Sequence, residues 1–206
     1  MLEILQSAIQ QAHALTAWEA VAVLLAIAYL LLAMRENILC WYSAFFSTAI
    51  YIYLFWNVSL LMESALNVYY LLMAVYGWYQ WRHGGKSKQG AQIQALGLQK
   101  NLLCLVSIAV LTIISGWLLA NNTDAAWPYI DSFTTWGSVL TTIMVARKIL
   151  DNWVYWIVID SVSIFLYLDR GLYLTAVLFM AYVVIVVFGF FQWRKLMLEQ
   201  VSRAES

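Results

Sequence analysis

The chain has 206 residues, of which 64% are hydrophobic, 16% aromatic and only 11% charged, and its net charge is zero. Soluble domains carry about a quarter charged residues, so a soluble globular fold is excluded, and a neutral chain has no electrostatic footprint for nucleic acid. Long, nearly uncharged runs recur along the whole length and are continuous rather than alternating, which predicts an all-α, polytopic integral membrane protein and argues against a β-barrel.

Residues 1–15 place Leu2, Leu5, Ala8, Ile9 and Ala12 at helical spacing against Gln6, Gln10 and Gln11, the pattern of a short interfacial helix rather than a signal peptide. Seven spans follow, at about 17–34, 38–56, 60–81, 101–120, 130–147, 152–168 and 171–193, each near the 20 residues a bilayer requires. The connection 82–100, with Gly84, Gly85, Gly90 and Gly97, is polar, basic and expected to be flexible. Pro128 stands where the fifth span begins, a favoured helix start. The tail is 194–206. If the N-terminus lies outside, ten basic residues (Arg35, Arg82, Lys86, Lys88, Lys100, Arg147, Lys148, Arg194, Lys195 and Arg203) face the cytoplasm and only Arg170 faces out. That bias predicts N-out, C-in.

Chemistry that needs a cluster is poorly supplied. Cys40 and Cys104 read as small core residues, His13 and His83 fall outside the apolar runs, and no phosphate-binding loop is present. No metal, cofactor or enzymatic centre is expected, since an acid without a buried histidine is poor catalytic material.

The chain repeats itself. Gly-Trp-Tyr-Gln-Trp-Arg at 77–82 recurs as Gly-Phe-Phe-Gln-Trp-Arg at 189–194, a spacing of 112. Glu36-Asn37 and Asp151-Asn152 suggest a spacing of 115 for the second and sixth spans, setting Trp41 against Trp156, Phe45 against Asp160 and Thr48 against Ser163. Spans one to three then match spans five to seven, with the fourth (101–120) as a linker. The domains are a first repeat at 16–81 and a second at 130–193, and four helices between repeat starts make them parallel (3+1+3). Parallel repeats are a transporter plan with the substrate near midplane at their interface.

The sixth span carries Asn152, Trp156, Asp160, Ser163 and Tyr167 at steps of four, four, three and four, hence on one face, flanked by Trp153 and Tyr155. Asp160 lies about 12 Å deep at 1.5 Å per residue. A carboxylate there is either locked to a neighbouring helix or a ligand contact. Trp156 and Trp41 are either core packing or a platform for a flat ligand. Helix three adds Glu63, Asn67 and Tyr70 on one face, whose mates Thr175, Phe179 and Tyr182 are less polar. The fifth span offers Asp131, Thr134, Thr135, Ser138, Thr141 and Thr142 as helix–helix hydrogen bonds or substrate contacts. Trp81 and Trp193 read as an interfacial belt, with Gln80 and Gln192 undecided.

Asn152-Trp153, Trp156, Asp160 and Tyr167, with Tyr76-Gly77-Trp78-Tyr79-Gln80-Trp81 ending the third span, resemble the Pnu vitamin transporters along nearly the whole chain. The resemblance implies the 3+1+3 plan shared with SWEET transporters. It also implies facilitated diffusion of nicotinamide riboside across the bacterial inner membrane, trapping by a separate cytosolic riboside kinase, and a homo-oligomer such as a trimer. Related members carry thiamine or other nucleoside-like vitamins, and a SWEET-like sugar facilitator is the alternative outside the family. The full candidate substrate-binding set is Asn37, Trp41, Asn67, Tyr70, Trp78, Gln80, Asn152, Trp153, Tyr155, Trp156, Asp160, Ser163, Tyr167 and Gln192. Tryptophans suit a cationic pyridinium, by attraction worth about 0.5–2 kcal/mol. Asn, Gln and Tyr suit a carboxamide and ribose hydroxyls.

Overall fold

The structure is a computed structural model describing residues 2–13, 17–57, 61–85, 90–123 and 125–205. Among them are eight helices: α1 (Leu2–His13), α2 (Ala17–Met34), α3 (Cys40–Asn57), α4 (Leu61–His83), α5 (Leu98–Asn122), α6 (Pro128–Ala146), α7 (Asn152–Asp169) and α8 (Tyr173–Glu205). The amphipathic N-terminal segment corresponds to α1 and the seven expected segments to α2–α8. α2, α5 and α8 are long and apolar enough to cross a membrane on length and composition alone. α6 starts on Pro128, whose missing N–H is one of the four unpaired donors of a first turn. α8 runs through 194–205, where a tail was expected, for 33 residues in all, about 50 Å. The expectations for Lys86, Lys88 and the side chain of Glu63 lie outside the described residues.

α3 packs against α2 and α4, α7 against α6 and α8, α2 against α8, and α4 against α6. These six helices close a ring. Among the described residues α5 packs on α6 and α1 on α8, both from outside the ring. Specific bonds fasten it: Ser47 Oγ donates to Ala22 O within the first set (2.8 Å), and Tyr69 Oη donates to Val139 O across the α4–α6 seam (2.8 Å).

The turns joining α2 to α3 and α6 to α7 are copies of one another. Asn37 N–H donates to Leu32 O and Ile149 N–H to Met144 O, each at 2.9 Å, satisfying carbonyls at a helix end. Each turn has a non-glycine residue in the left-handed region, Glu36 (φ 57°) and Lys148 (φ 52°), a conformation costing about 1–3 kcal/mol that the surroundings must enforce. Glu36 and Lys148 are 112 residues apart. The spacing of 115 for the second helices is therefore corrected. Asn37 is a turn residue and Asn152 the first residue of α7, so their likeness is local. At the spacing of 112 Trp41 corresponds to Trp153, Thr48 to Asp160, Tyr51 to Ser163 and Tyr70 to Tyr182.

The expected flexible loop is, over 90–97, a docked strap. Gln94 pairs with the α6–α7 turn as an isolated parallel bridge, accepting from Leu150 N–H (2.8 Å) and donating to Lys148 O (3.1 Å). Ile93 is buried beneath it. Asp151 accepts from Leu96 N–H (2.7 Å) and from Asn101 Nδ2 (2.9 Å).

Candidate functional site

α7 turns its polar stripe into the ring. Asn152, Asp160 and Ser163 are buried and Trp156 and Tyr167 half-buried, while Val154, Val158, Ser161 and Phe165 point outward. Asp160 is 4% exposed. It accepts no hydrogen bond and meets no cation among the described residues. Among the described residues no neighbouring donor locks this carboxylate.

Aromatic rings link α7 to α8. Tyr167 packs on Phe179 (centroids 4.8 Å) and Phe179 on Tyr182 (5.3 Å). Tyr51 of α3 stacks on Phe55 (5.5 Å, interplanar angle 16°). Tyr182 lies within electrostatic range of Asp160, Tyr51 and Tyr167, and Tyr29 within range of Tyr70. Tyr51 comes from the first helix set and Tyr182 from the second, so the cluster bridges the two. Asn67 of α4 is buried.

One end of the ring, where Arg35, Arg82, Arg147 and Arg194 gather, is closed by four indoles. Trp41, Trp81, Trp193 and Trp153 follow in a chain at centroid distances of 5.4, 5.8 and 5.2 Å, the first and last pairs edge to face and the middle pair tilted. Trp81 Nε1 donates to Val145 O (3.1 Å) and Trp193 Nε1 to Ala33 O (2.9 Å), each reaching into the opposite helix set. The symmetry-related Glu36 and Lys148 form an ion pair, and Lys148 Nζ lies 4.8 Å from the centre of the Trp81 ring. Trp81 and Trp193 are thus corrected from an interfacial belt to the core: they are 6% and 0% exposed. The belt expectation rested on α8 ending near Trp193, whereas the helix continues well past it, and the strap folds over α4, with Ala91 N–H donating to Gln80 O (3.1 Å).

The other candidates divide. Trp41 and Trp153 belong to the indole closure, each against a glycine. Their Nε1 groups and Asn152 Oδ1 are buried without a hydrogen-bond partner among the described residues, the kind of group that calls for an explanation such as a ligand. Asn37 is exposed and caps Leu39 N–H (2.9 Å). The Tyr155 hydroxyl donates to Asn101 Oδ1 (3.2 Å), on the α5 side of α7 and away from the stripe. Trp78 lines an open apolar groove between α3 and α4, and its ring carries Arg82 at 5.6 Å. Gln80 is half-buried and Gln192 exposed, both at the basic end. In α6, Asp131 is taken by Arg170 (2.6 Å) at the opposite end, and Thr142 Oγ1 donates to its own helix at Ser138 O (2.7 Å). Thr141 is fully buried with an unpartnered hydroxyl. Tyr29, Tyr51 and Tyr182 lie outside the candidate set. The signal for Tyr182 was its position 112 residues after Tyr70.

Comparison with known proteins gives a consistent answer. A family model described as nicotinamide mononucleotide transporter matches residues 16–195. The nicotinamide riboside transporter PnuC of Escherichia coli (strain K12) is 24% identical over 213 residues, covering 91% of this chain and 89% of that protein. The riboflavin/roseoflavin transporter RibM of Streptomyces davaonensis is 22% identical over 168 residues, covering 80% of this chain and 78% of its own length. A crystal structure of the vitamin B3 transporter PnuC superposes with a TM-score of 0.70 at 21% identity, covering 95% of this chain and 90% of that one. It shares the fold.

Proposed function

This chain belongs to the nicotinamide mononucleotide transporter family, and from that premise we propose that it carries nicotinamide riboside across the bacterial inner membrane by facilitated diffusion. The observation that carries the proposal is the buried Asp160 on the polar face of α7, which meets no cation among the described residues. A polar group at that depth is costly unless a ligand or partner uses it.

In this reading α2–α8 are seven spans, α2–α4 and α6–α8 are parallel repeats, α5 is the linker and α1 lies in the interface. The N-terminus is periplasmic and the C-terminus cytoplasmic, so the indole closure and the Glu36–Lys148 pair shut the cytoplasmic side. Substrate enters from the periplasm and rests at the Asp160 level, stacked near Trp156, with Asn67, Tyr70, Ser163 and Tyr167 offering hydrogen bonds. Release requires the two repeats to rock apart at the closure, which breaks the Trp81–Val145 and Trp193–Ala33 bonds and the ion pair. A separate riboside kinase then traps the product. A homo-oligomer, such as a trimer, would cover the lipid-facing apolar surface of the linker side.

Counterflow tests it. Proteoliposomes preloaded with unlabelled nicotinamide riboside are expected to take up labelled riboside transiently, with competition by nicotinamide riboside and none by glucose. Absence of counterflow by folded protein would overturn the proposal.

A further inference from the structure

We infer that the apolar groove between α3 and α4 binds one acyl chain of an anionic phospholipid, with the Arg82 guanidinium at its mouth holding the headgroup phosphate. The inference goes beyond the transport reading and rests on one part of it, that α3 and α4 cross a bilayer. It does not depend on what the protein carries.

The groove follows from side-chain size at helical spacing. On α4, Ala74, Trp78 and Arg82 stand four residues apart with Val75 beside them, so they share one face. On α3, Tyr42, Phe45 and Phe46 line the other wall. The small Ala74 leaves room between these large rings, and the hollow holds about 280 Å³. Its floor, Trp41 and Ala74, belongs to the core, while Tyr42, Phe46 and Val75 are exposed, so the groove opens on the surface.

Its direction suits a lipid. α3 starts and α4 ends at the basic end of the ring, so the groove runs inward from that end. From Ala74 to Arg82 is about 12 Å at 1.5 Å per residue. One leaflet contributes about 15 Å of the hydrocarbon core, so the groove stays within a single leaflet.

Its chemistry has the order of an amphiphile. Every lining side chain is apolar or aromatic, and the cation stands only at the mouth. Arg82 is exposed, lies 5.6 Å from the centre of the Trp78 ring and pairs with no carboxylate among the described residues. The ring steadies the guanidinium, whose planar donors suit a phosphate bidentately. Tyr42 and Tyr79 are exposed near the same end, where amphipathic rings mark the headgroup level.

Size separates a chain from a helix. One helical turn with its side chains, about 5.4 Å long and 10 Å across, occupies about 420 Å³, more than the groove holds. A single hydrocarbon chain seats lengthwise. Trp41 is also the first of the four indoles, so the bound chain lies against the closure from the lipid side.

The test offers dioleoyl phosphatidylglycerol or dioleoyl phosphatidylcholine to the full chain, purified in detergent and stripped of lipid. Binding is read by native mass spectrometry and by melting temperature, which a ligand of the folded chain alone must raise. Phosphatidylglycerol is expected to bind about fivefold or more tightly, the size of one basic contact with an anionic lipid, and to raise the melting temperature further. Arg82→Gln is expected to erase that preference, while Lys195→Gln, an equal loss of charge on α8, keeps it. Val75→Trp fills the groove from its open side and is expected to weaken both lipids about tenfold or more. A phosphatidylglycerol with a photoreactive group at its chain end is expected to label the peptides that hold Phe45, Phe46 and Val75. Equal affinities in wild type, labelling spread evenly over α3, α4 and α5, or labelling that survives Val75→Trp overturns the site and leaves unselective annular lipid. An oligomer that persists without lipid and dissociates in Val75→Trp gives the groove to a second copy and overturns it too. Should Val75→Trp fail to fold, the Arg82 and Lys195 variants and the wild-type labelling still decide. Failed counterflow beside these results leaves the lipid site standing, and loss of the lipid site leaves transport standing.

Discussion

Trp193 has no exposed surface, donates to a carbonyl of the other helix set and touches two further indoles. In sequence it was indistinguishable from a headgroup-level tryptophan, because Gln-Trp-Arg fits either place and only the course of α8 beyond it decides. The α7 stripe was more legible: its period put Asn152, Asp160 and Ser163 on one face, and all three are buried. The same closure explains two glycines. A Cβ on Gly77 would stand 2.3 Å from the Trp41 ring and one on Gly189 2.6 Å from the Trp153 ring. Gly77→Ala and Gly189→Ala are each expected to cost about 1–3 kcal/mol by overpacking, read as a lower melting temperature in detergent. Gly97→Ala, whose Cβ would meet nothing within 4 Å, serves as the unaffected control. Wild-type melting of Gly77→Ala would show that Trp41 is free to move and that the indoles are no rigid plug.

At the scale of elements, the apolar runs predicted where helices lie, and α2–α8 fall on them. The relative register of the second helices was not legible, because two matching dipeptides outweighed a turn geometry with no side-chain signature. The strap was hidden for a related reason: its bonds to the α6–α7 turn are mostly backbone ones, and its glycines signal mobility. Among the described residues Asp151 and Asn101, whose Nδ2 donates to Leu96 O (3.4 Å), give it side-chain anchors. Asp151→Ala removes the acceptor of Leu96 N–H and one of the two acceptors of Asn101 Nδ2, a lost hydrogen bond to a charged group being worth about 1.5–3 kcal/mol. The strap holds the turn that carries Lys148, and the equivalent turn with Glu36 has no such cover among the described residues. Asp151→Ala is therefore expected to quicken proteolysis within 90–97 and to lower the melting temperature. Unchanged cleavage would show that the backbone bonds of Ala91 and Gln94 secure the strap without it.

At the scale of the whole molecule, six of the eight described helices close a ring with matching seams, α2 on α8 and α4 on α6. Repetition was visible in the sequence; the seams were not, since they join segments far apart in the chain by shape. If the basic end faces the cytosol, Gln92→Cys is expected to resist an impermeant thiol reagent in intact cells while Asn122→Cys labels, once Cys40 and Cys104 are replaced; the reverse pattern would invert the protein. The ring also bears on energetics. A proton relay needs a chain of titratable groups, and a sodium site gathers oxygens at unwound helices. Among the described residues Asp160 stands without a second acid, histidine or base in contact, and no group of three metal-ligating side chains forms. In the proposed transport reading, with no second titratable group in contact among the described residues, the expectation is a uniporter whose net uptake comes from phosphorylation in the cytosol. The measurement uses proteoliposomes with labelled nicotinamide riboside at equal activity on both sides. Because the substrate is cationic, the membrane potential is clamped at zero. An imposed proton or sodium gradient is then expected to drive no accumulation while unlabelled riboside exchanges freely. Reproducible uphill uptake under that clamp would make Asp160 a coupling residue.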